Sequence, residues 1–524
     1  MNTINPIKTK FLTHDFLWSD NAILIYLALA KLIIHLLTST GYGYFVDELY
    51  YLEATKHLDF GYVDMPPLIP LLMALSKLVL GVSLFALQIF PAIAGAVMVY
   101  FTGLLAREMK GGRFAQSLAA LTVFAAPYWL KFNSWFAYDP FDQLLTVIFF
   151  YLVVLLLKKE TPRRWIGLGV ITGIGIMTKL VMIFVGFALV VALLLTSRRK
   201  WLISKWPLCA VIIAFAICTP FLVWQSIHAW PLIKYWQSYS VTRPHLEALP
   251  SLIEQIFYLN PVTLPIWILG LFYLLFHPQG KKYRILGLMF LVLQFLYVGI
   301  LQMPSRFLAS AYFPLLTAGA VFTEDLITKF ATHHFNWNWL KPILAISILI
   351  NGIRLAPVAL PILPAPALMR YAIEQAGTLM QPSSLLLETL QTRSGWPEMT
   401  QQIASVYRSL PKAERRKCVI YTSFYFEAGA INFFGKDYGL PAAVSNHLSY
   451  QIWGLGKYSG EVVIAFGYTF NPSRLSLFFD EVEDTGIMIS NPYGMHFEKN
   501  LPVYICRKPK IPLKEVWNQL ASYF

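Results

Sequence analysis

Long apolar runs recur along the chain up to about residue 360, and they constrain the fold more than any other feature. A helix of about 20 apolar residues can cross the roughly 30 Å hydrocarbon core of a bilayer. We therefore predict eleven membrane-spanning helices. They lie near residues 21–39, 84–105, 114–130, 140–157, 165–178, 180–196, 206–224, 258–276, 285–302, 306–322 and 340–360.

The composition excludes an ordinary soluble chain. Of the 524 residues, 57% are hydrophobic and 13% are charged, whereas soluble domains carry about 25% charged residues. A net charge of +14 would fit a nucleic-acid-binding protein, but residues 1–360 hold +12 of it and residues 361–524 only +2. Because the basic residues accompany the apolar runs, we predict a lipid bilayer as a partner and no nucleic acid.

The distribution of basic residues predicts the orientation in the membrane, because Lys and Arg near span ends stay on the cytoplasmic side. The intervening connections hold nine of the fifteen acidic residues of the first 360, and they should face outward. The C-terminal part then lies outside as well, and the first run, too long for a cleavable signal, anchors the chain in the cell inner membrane. The basic clusters are Arg107, Lys110 and Arg113; Lys158, Lys159, Arg163 and Arg164; Arg198, Arg199, Lys200 and Lys205; and Lys281, Lys282 and Arg284.

Residues 361–524 have a different character, in which short apolar runs alternate with amphipathic segments. Helices are predicted near 396–409 and 512–522, and strands at Val419–Thr422, Val462–Phe466 and Val503–Cys506. We predict a mainly α membrane bundle over residues 1–360, followed by a small extracytoplasmic α/β domain over residues 361–524. Cys418 and Cys506 lie in candidate strands, and whether they pair stays open.

Two adjacent carboxylates, Asp47 and Glu48, follow the first span at the point where the chain leaves the membrane. Neighbouring residues of a helix point about 100° apart, so one carboxylate can meet a substrate while the other fixes the local structure. A carboxylate here could accept the proton of a hydroxyl or amine that attacks a sugar carbon. The alternative is that both residues only cap a helix start and interact with its dipole.

More charged residues are predicted at the outward ends of later spans. Asp139 and Asp142 begin the fourth span, where capping accounts for one carboxylate but less well for two. Lys179 lies at the tip between the fifth and sixth spans, and Arg306 begins the tenth. The donors of these two cations match the oxygens of a lipid phosphate, although snorkelling to lipid headgroups would also explain them.

Several segments resemble the GT-C membrane glycosyltransferases of the glycosyltransferase family 39 type, which include protein O-mannosyltransferases and lipid A aminoarabinose transferases. The segments DELYY and GYVDMPPL are similar to the first-loop signature of that family. GIGIMTKLVM, FLASAYFPLLTAGA and EAGAINFFGKDYGLPAAVSNHLSYQIWG are similar to its later segments in the same order, so the resemblance covers most of the chain. Met65 stands where many relatives have His, and Arg306 near where they have Lys or Tyr.

The resemblance implies that a sugar moves from a polyprenyl-phosphate donor to an envelope acceptor (lipid, glycan or protein) on the outer face, with inversion at the anomeric carbon. It assigns the catalytic role to Asp47 and phosphate binding to Lys179. The predicted substrate-binding residues are Glu48, Tyr50, Tyr51, His57, Asp64, Asp139, Asp142, Lys179 and Arg306. No cofactor is certain, but a divalent cation (Mg, Mn or Zn) on Asp47, Glu48 and Asp142 stays open, because carboxylates suit such ions.

A transporter that flips a polyprenyl-linked lipid is the competing interpretation. Lys31 and His35 lie one helical turn apart inside the first span, where ionisable residues are costly and often line a path. A transporter would carry its substrate-binding residues near the bilayer midplane. Most of the ionisable residues described above lie at the outward ends of spans instead, which favours the transferase.

Overall fold

The computed structural model describes residues 19–242, 247–331, 336–379, 383–494 and 499–523. Within these ranges seven helices are long and apolar enough to cross a membrane. They confirm a mainly α, polytopic membrane bundle. The seven helices are Asp20–Leu37, Leu84–Glu108, Tyr138–Lys158, Lys205–Ile227, Gly280–Ile300, Ser305–Phe330 and Trp337–Ala359.

Two other predicted spans are bent, which gives up to nine spans in the described part of the chain. Val181–Leu194 meets Ser197–Ile203 at 118°, and Ala248–Tyr258 meets Pro261–Leu275 at 99°. The second bend lies at Pro261, which has no amide hydrogen to donate to the helix ladder.

The two remaining apolar runs form shorter helices. The run near 165–178 is the 17-residue helix Pro162–Thr178, and the run near 114–130 is divided into Arg113–Phe124 and Pro127–Phe132. All eleven predicted runs are therefore helical, but bends and short helices leave fewer full-length spans than runs.

The ends of the spans sort as the loop charges predict. At one end of the bundle, Arg113 donates to Asp20 over 2.9 Å and Lys158 donates to Glu108 over 2.5 Å. Both ion pairs include a residue of the basic connections between spans. Asp139 and Lys179 lie at the other ends of their helices, close enough to form an ion pair. We call the end of the bundle that carries this pair the site end.

Between and after the spans lie helices that do not cross the bundle. The connection after the first span forms the helices Val46–Ala54 and Leu68–Leu80. The others are Pro231–Thr242, Ala365–Leu379, Ser383–Gln391, Trp396–Ser409, Lys412–Arg415, Tyr425–Phe434, Ser449–Trp453, Pro472–Leu475 and Leu513–Val516.

A mixed five-stranded sheet forms the core of the C-terminal part, confirming the small α/β unit. The strands are β1 (Cys418–Thr422), β2 (Ala443–Ser445), β3 (Val462–Phe466), β4 (Phe479–Ile489) and β5 (Leu501–Pro509). The strand order is β2-β1-β3-β5-β4, with β1 parallel to β2 and β3, and β5 antiparallel to β3 and β4. Every residue of β1 and β3 is buried, as expected for central strands.

The two cysteines of the sheet are not bonded to each other. Cys418 in β1 and Cys506 in β5 are free and buried. Strand β3 separates their strands, so each thiol packs as a small apolar side chain.

The C-terminal part packs directly on the connection after the first span. Helix Tyr425–Phe434 lies against helix Val46–Ala54, and a Cβ on Gly429 would lie 3.0 Å from the backbone C and O atoms of Leu49. Trp396 adds a bond from its indole nitrogen to the carbonyl of Tyr44 over 3.0 Å. The helix that carries Asp47 is therefore held between the spans and the C-terminal part.

Candidate active site

Asp47 lies in the first turn of helix Val46–Ala54 and is partly exposed. The hydroxyl of Tyr425, at the start of helix Tyr425–Phe434, donates to its Oδ1 over 2.6 Å. Burial raises the pKa of Asp47 to about 6, with a further increase from Asp139, while the Tyr425 hydrogen bond and the charge of Arg306 lower it. Asp47 is thus a carboxylate that is largely ionised at neutral pH and can take up a proton.

Asp64 forms a second carboxylate centre beside Asp47. Its Oδ1 accepts a hydrogen bond from the Tyr50 hydroxyl over 2.7 Å, and that hydroxyl also lies 2.7 Å from Ser449 Oγ. Burial raises the pKa of Asp64 to about 7; the Tyr50 bond lowers it, and the charge of Asp47 raises it. The two aspartates therefore influence each other electrostatically, and both are predicted site residues.

Lys179 is held beside Asp139 at the site end. Its Nζ lies 2.9 Å from Asp139 Oδ1, 4.0 Å from the ring centre of Tyr138 and 4.5 Å from that of Phe307. A carboxylate and two ring faces thus fix the position of this ammonium group. Asp142 lies one turn further into the same span as Asp139, and its buried Oδ1 has no hydrogen-bond partner among the described residues.

Arg306 is linked to the segment that follows the last span. Its Nη1 lies 3.9 Å from Glu388 Oε1, and Lys131 also forms an ion pair with Glu388. The Arg306 side chain is 36% exposed, and this single long contact leaves most of its donors available. Phe307, next in sequence, touches Lys179, so the two cations are neighbours at the site end.

Glu48 occupies a different environment from Asp47. It is fully buried, its Oε2 accepts from the amide of Phe45, and its Oε1 accepts from Gln88 and from the amide of Phe136, all within 2.8 Å. These bonds fix the helix start and tie it to the second span. The geometry fits the alternative of helix capping for Glu48, and its substrate-binding role stays a prediction without structural support.

Of the remaining predicted residues, Tyr51 lies within helix Val46–Ala54 and His57 lies three residues after its end. Tyr51 is buried, and the charge of Asp47, added to burial, raises the pKa of its hydroxyl. His57 lies at the protein surface, where its ring stacks on Trp453 with centres 4.6 Å apart. Tyr51 thus belongs with the carboxylates, and His57 lies on the wall of a separate cleft.

The candidate metal ligands do not form a ligand set. The Glu48 carboxylate already accepts hydrogen bonds from three protein donors. Across the residues that the structure describes, no three His, Cys, Asp or Glu side chains gather closely enough to hold an ion. A divalent cation on Asp47, Glu48 and Asp142 therefore finds no support in this geometry, and the mechanism below uses none.

Several site residues were not predicted, and all but one come from the C-terminal part. Tyr425 lies two residues before the family-like segment EAGAINFFGKDYGLPAAVSNHLSYQIWG, Ser449 lies within that segment, and Glu388 is in an unremarkable amphipathic helix. Lys131 was the exception with a usable signal, because a lone lysine directly follows an apolar run.

Replacing Tyr425 by Phe should shift the acidic limb of the pH–rate profile to higher pH. The hydroxyl stabilises the ionised form of Asp47, so its loss raises the pKa of Asp47 above about 6, and a higher pH is needed to ionise it. The measurement is kcat/KM against pH. Tyr407→Phe is the matched control, because that hydroxyl bonds to Arg415, away from the site. If the acidic limb of Tyr425→Phe lies at the same pH as in the wild type, ionisation of Asp47 does not control kcat/KM.

The comparisons with known proteins agree with this architecture. Residues 64–224 match the family model described as dolichyl-phosphate-mannose-protein mannosyltransferase. No curated protein sequence matches the chain. Among solved structures, ArnT from Cupriavidus metallidurans bound to undecaprenyl phosphate is 13% identical, over 92% of this chain and 97% of that one, with a TM-score of 0.58.

Two further structures are similar over different shares of the chain. ArnT in the apo state is 13% identical over 96% of this chain and 100% of that one, with a TM-score of 0.57. The Pmt1–Pmt2 protein O-mannosyltransferase complex of S. cerevisiae, bound to the sugar donor, is 18% identical over 41% of this chain and 34% of that one, with a TM-score of 0.32. The ArnT-like fold and the family model that matches residues 64–224 agree with the predicted resemblance to the GT-C membrane glycosyltransferases of the glycosyltransferase family 39 type.

Proposed function

We propose that this membrane glycosyltransferase moves a sugar from a polyprenyl-phosphate donor to an envelope acceptor on the outer face, with inversion at the anomeric carbon. The proposal rests on the environment of Asp47, whose pKa is about 6 and is influenced by the charges of Arg306 and of Asp139, the ion-pair partner of Lys179. A base and two cations are the groups that this reaction needs, because a phosphate-linked sugar already has a good leaving group.

Asp47 serves as the general base. The acceptor oxygen attacks the anomeric carbon while the bond from that carbon to the phosphate oxygen breaks, and the acceptor proton passes to Asp47. The electron pair of the broken bond leaves with the polyprenyl phosphate. Attack opposite to the departing phosphate inverts the configuration, and Tyr425 leaves Oδ2 of Asp47 as the oxygen that receives the proton.

Arg306 and Lys179 stabilise the phosphate as its charge develops. Their positions favour this role, since Phe307 connects the two cations and Arg306 keeps unpaired donors beside its contact with Glu388. The carboxylate of Asp139 partly neutralises the Lys179 ammonium group. Arg306 should therefore contribute more to stabilising the phosphate. Asp142 is placed to accept a sugar hydroxyl with its unpartnered oxygen.

An apolar groove near Lys179 suits the polyprenyl chain. It has a volume of about 400 Å³, and Leu68, Leu71, Ile174, Met177, Ile217 and Pro220 are among its lining residues. Met177 is two residues before Lys179, so a chain in the groove would end near the phosphate ligands. The ArnT structure bound to undecaprenyl phosphate supports a carrier of this class.

The site end would face the periplasm, with the C-terminal part on the same side of the inner membrane. The charge distribution supports this orientation, because the ion pairs Arg113–Asp20 and Lys158–Glu108 join the basic connections at the opposite end.

Filling the groove should weaken use of the donor. Leu71 is 55% exposed and lines the groove, so Leu71→Trp should raise the KM for the polyprenyl-phosphate sugar about tenfold, with a smaller change in kcat. Leu78→Trp is the control, because Leu78 lies on the same helix, is 83% exposed and does not line the groove. Equal KM values for the two variants would place the lipid chain elsewhere.

The proposed function is tested by mass analysis of envelope lipids, glycans and proteins from cells that lack the gene. One sugar should disappear from one envelope component, and the full chain should restore it, whereas the Asp47→Asn chain should not. An unchanged envelope, or full restoration by Asp47→Asn, would refute the proposal.

A further inference from the structure

A second cleft adjoins the apolar groove, with which it shares Leu58 and Asp59, and lies apart from the cation pair. Its volume is about 230 Å³, and three parts of the chain form it. His57 and Asp59 come from the connection after the first span, Trp224 from the last turn of helix Lys205–Ile227, and Ser449, Ile452 and Trp453 from the C-terminal part. A cleft assembled from distant segments requires the whole fold, and no single motif marks it.

This cleft continues over the surface of the C-terminal part. A neighbouring cleft of about 360 Å³ shares Ile452 and Trp453 with it and extends to Lys514 and Trp517. Ligand sites in proteins usually measure about 300–1,000 Å³. The two adjoining clefts therefore offer room for a ligand larger than one sugar ring.

The lining of the first cleft favours an uncharged ligand with many hydroxyl groups. None of its nine lining residues is Lys or Arg, so it lacks the cations that a phosphate needs. Aromatic rings from Trp453, Trp224 and His57 stand beside the polar groups of Ser449 and Asp59. The C–H faces of a sugar ring pack on aromatic faces, while its hydroxyls bond to such polar groups.

Two observations add to this chemistry. Trp224 is 7% exposed, and its buried indole nitrogen has no hydrogen-bond partner among the described residues. Partial burial lowers the pKa of His57, which keeps its ring neutral at neutral pH.

A chain of hydrogen bonds connects the cleft with the carboxylates. Ser449 lines the cleft and lies 2.7 Å from the Tyr50 hydroxyl, which donates to Asp64 over 2.7 Å. Asp64 is the electrostatic neighbour of Asp47. Two side chains, Ser449 and Tyr50, therefore connect a ligand in the cleft with Asp64.

From this arrangement we infer that the acceptor is a carbohydrate, whose neutral sugar rings bind against Trp224 and the stacked pair Trp453 and His57 and present a hydroxyl toward the aspartates. This inference rests on the proposed function, since it names the class of acceptor for the same reaction. The carbohydrate is the headgroup of a glycolipid or part of an envelope glycan, and the cleft chemistry is common to both.

The identity of the acceptor tests the inference and the proposed function separately. In the envelope of cells that lack the gene, the missing sugar should have been linked to another sugar, and fragmentation of the wild-type component should show that glycosidic bond. A linkage to a Ser or Thr of a protein, to a phosphate or to a lipid hydroxyl would overturn the carbohydrate acceptor while the transferase proposal stands. If no sugar is missing, the proposed function itself fails.

A matched pair of variants tests the cleft directly in the full-length protein. Ile452 is 38% exposed at the junction of the two clefts, and Ile511 is 50% exposed on the C-terminal part outside both. Ile452→Trp should lower restoration of the envelope sugar at least about tenfold, while Ile511→Trp should restore it fully. Binding of undecaprenyl phosphate to the purified proteins should be the same in both, which also verifies folding. If both variants restored the envelope sugar equally, the acceptor would not bind in this cleft.

Discussion

Replacing Asp47 by Asn should lower kcat about 10³-fold while leaving the protein folded and able to bind its lipid donor. An amide cannot accept the acceptor proton, and loss of a general base costs roughly 10²–10⁴-fold. Tyr425 can still donate to the amide oxygen at this position, so the local structure should survive. The measurement is transfer by purified protein, with the donor and acceptor identified from the envelope analysis.

Asp437→Asn is the matched control for this change. Asp437 is an exposed aspartate of the C-terminal part, in the helical turn Gly435–Tyr438. It should keep wild-type kcat. Turnover by Asp47→Asn close to that of Asp437→Asn would exclude Asp47 as the base.

Replacing Arg306 by Gln should lower kcat/KM about 10²–10³-fold, the usual cost of losing one group that stabilises developing charge. Folding should be little affected, because Glu388 keeps its ion pair with Lys131 when the guanidinium is removed. Arg306→Lys should recover part of the activity, since it restores the charge but not the second phosphate contact. Steady-state kinetics with varied donor concentration measures the effect.

Arg354→Gln is the control for the arginine. Arg354 is exposed and bonds to Gln375, so its loss removes the same charge without touching the site. If Arg306→Gln and Arg354→Gln had equal kcat/KM, the phosphate would have to be stabilised by Lys179 and other groups.

Predictions from the sequence were most accurate where one physical requirement acts on a continuous stretch of chain. Each of the eleven apolar runs is a helix because a backbone in hydrocarbon must satisfy its own hydrogen bonds. The ion pairs Arg113–Asp20 and Lys158–Glu108 join helix ends that the charge distribution assigns to one side, and the side of the membrane that they face stays a prediction. The number of full-length spans was harder to predict from the sequence, because a bend such as that at Pro261 depends on local packing.

The predicted pair Asp47 and Glu48 shows the limit of reasoning from adjacent residues. The sequence does not distinguish the two carboxylates. In the structure Asp47 is partly exposed beside Tyr425, whereas Glu48 is buried and hydrogen-bonded to Phe45, Gln88 and Phe136. Which neighbour binds and which caps depends on the groups that surround each side chain. Those groups come from the second span, from residue 136 and from residue 425.

By itself, the sequence determined the membrane bundle, the charged ends of its helices and the presence of acids and cations at one of those ends. These properties follow from local patterns, in which hydrophobic length and charge act within a few turns of helix. Only the tertiary structure decided that the C-terminal part completes the site, with Tyr425 on Asp47, Glu388 on Arg306 and Ser449 on Tyr50. Contacts between residues hundreds of positions apart depend on how the segments pack, and no short pattern in the chain records that packing.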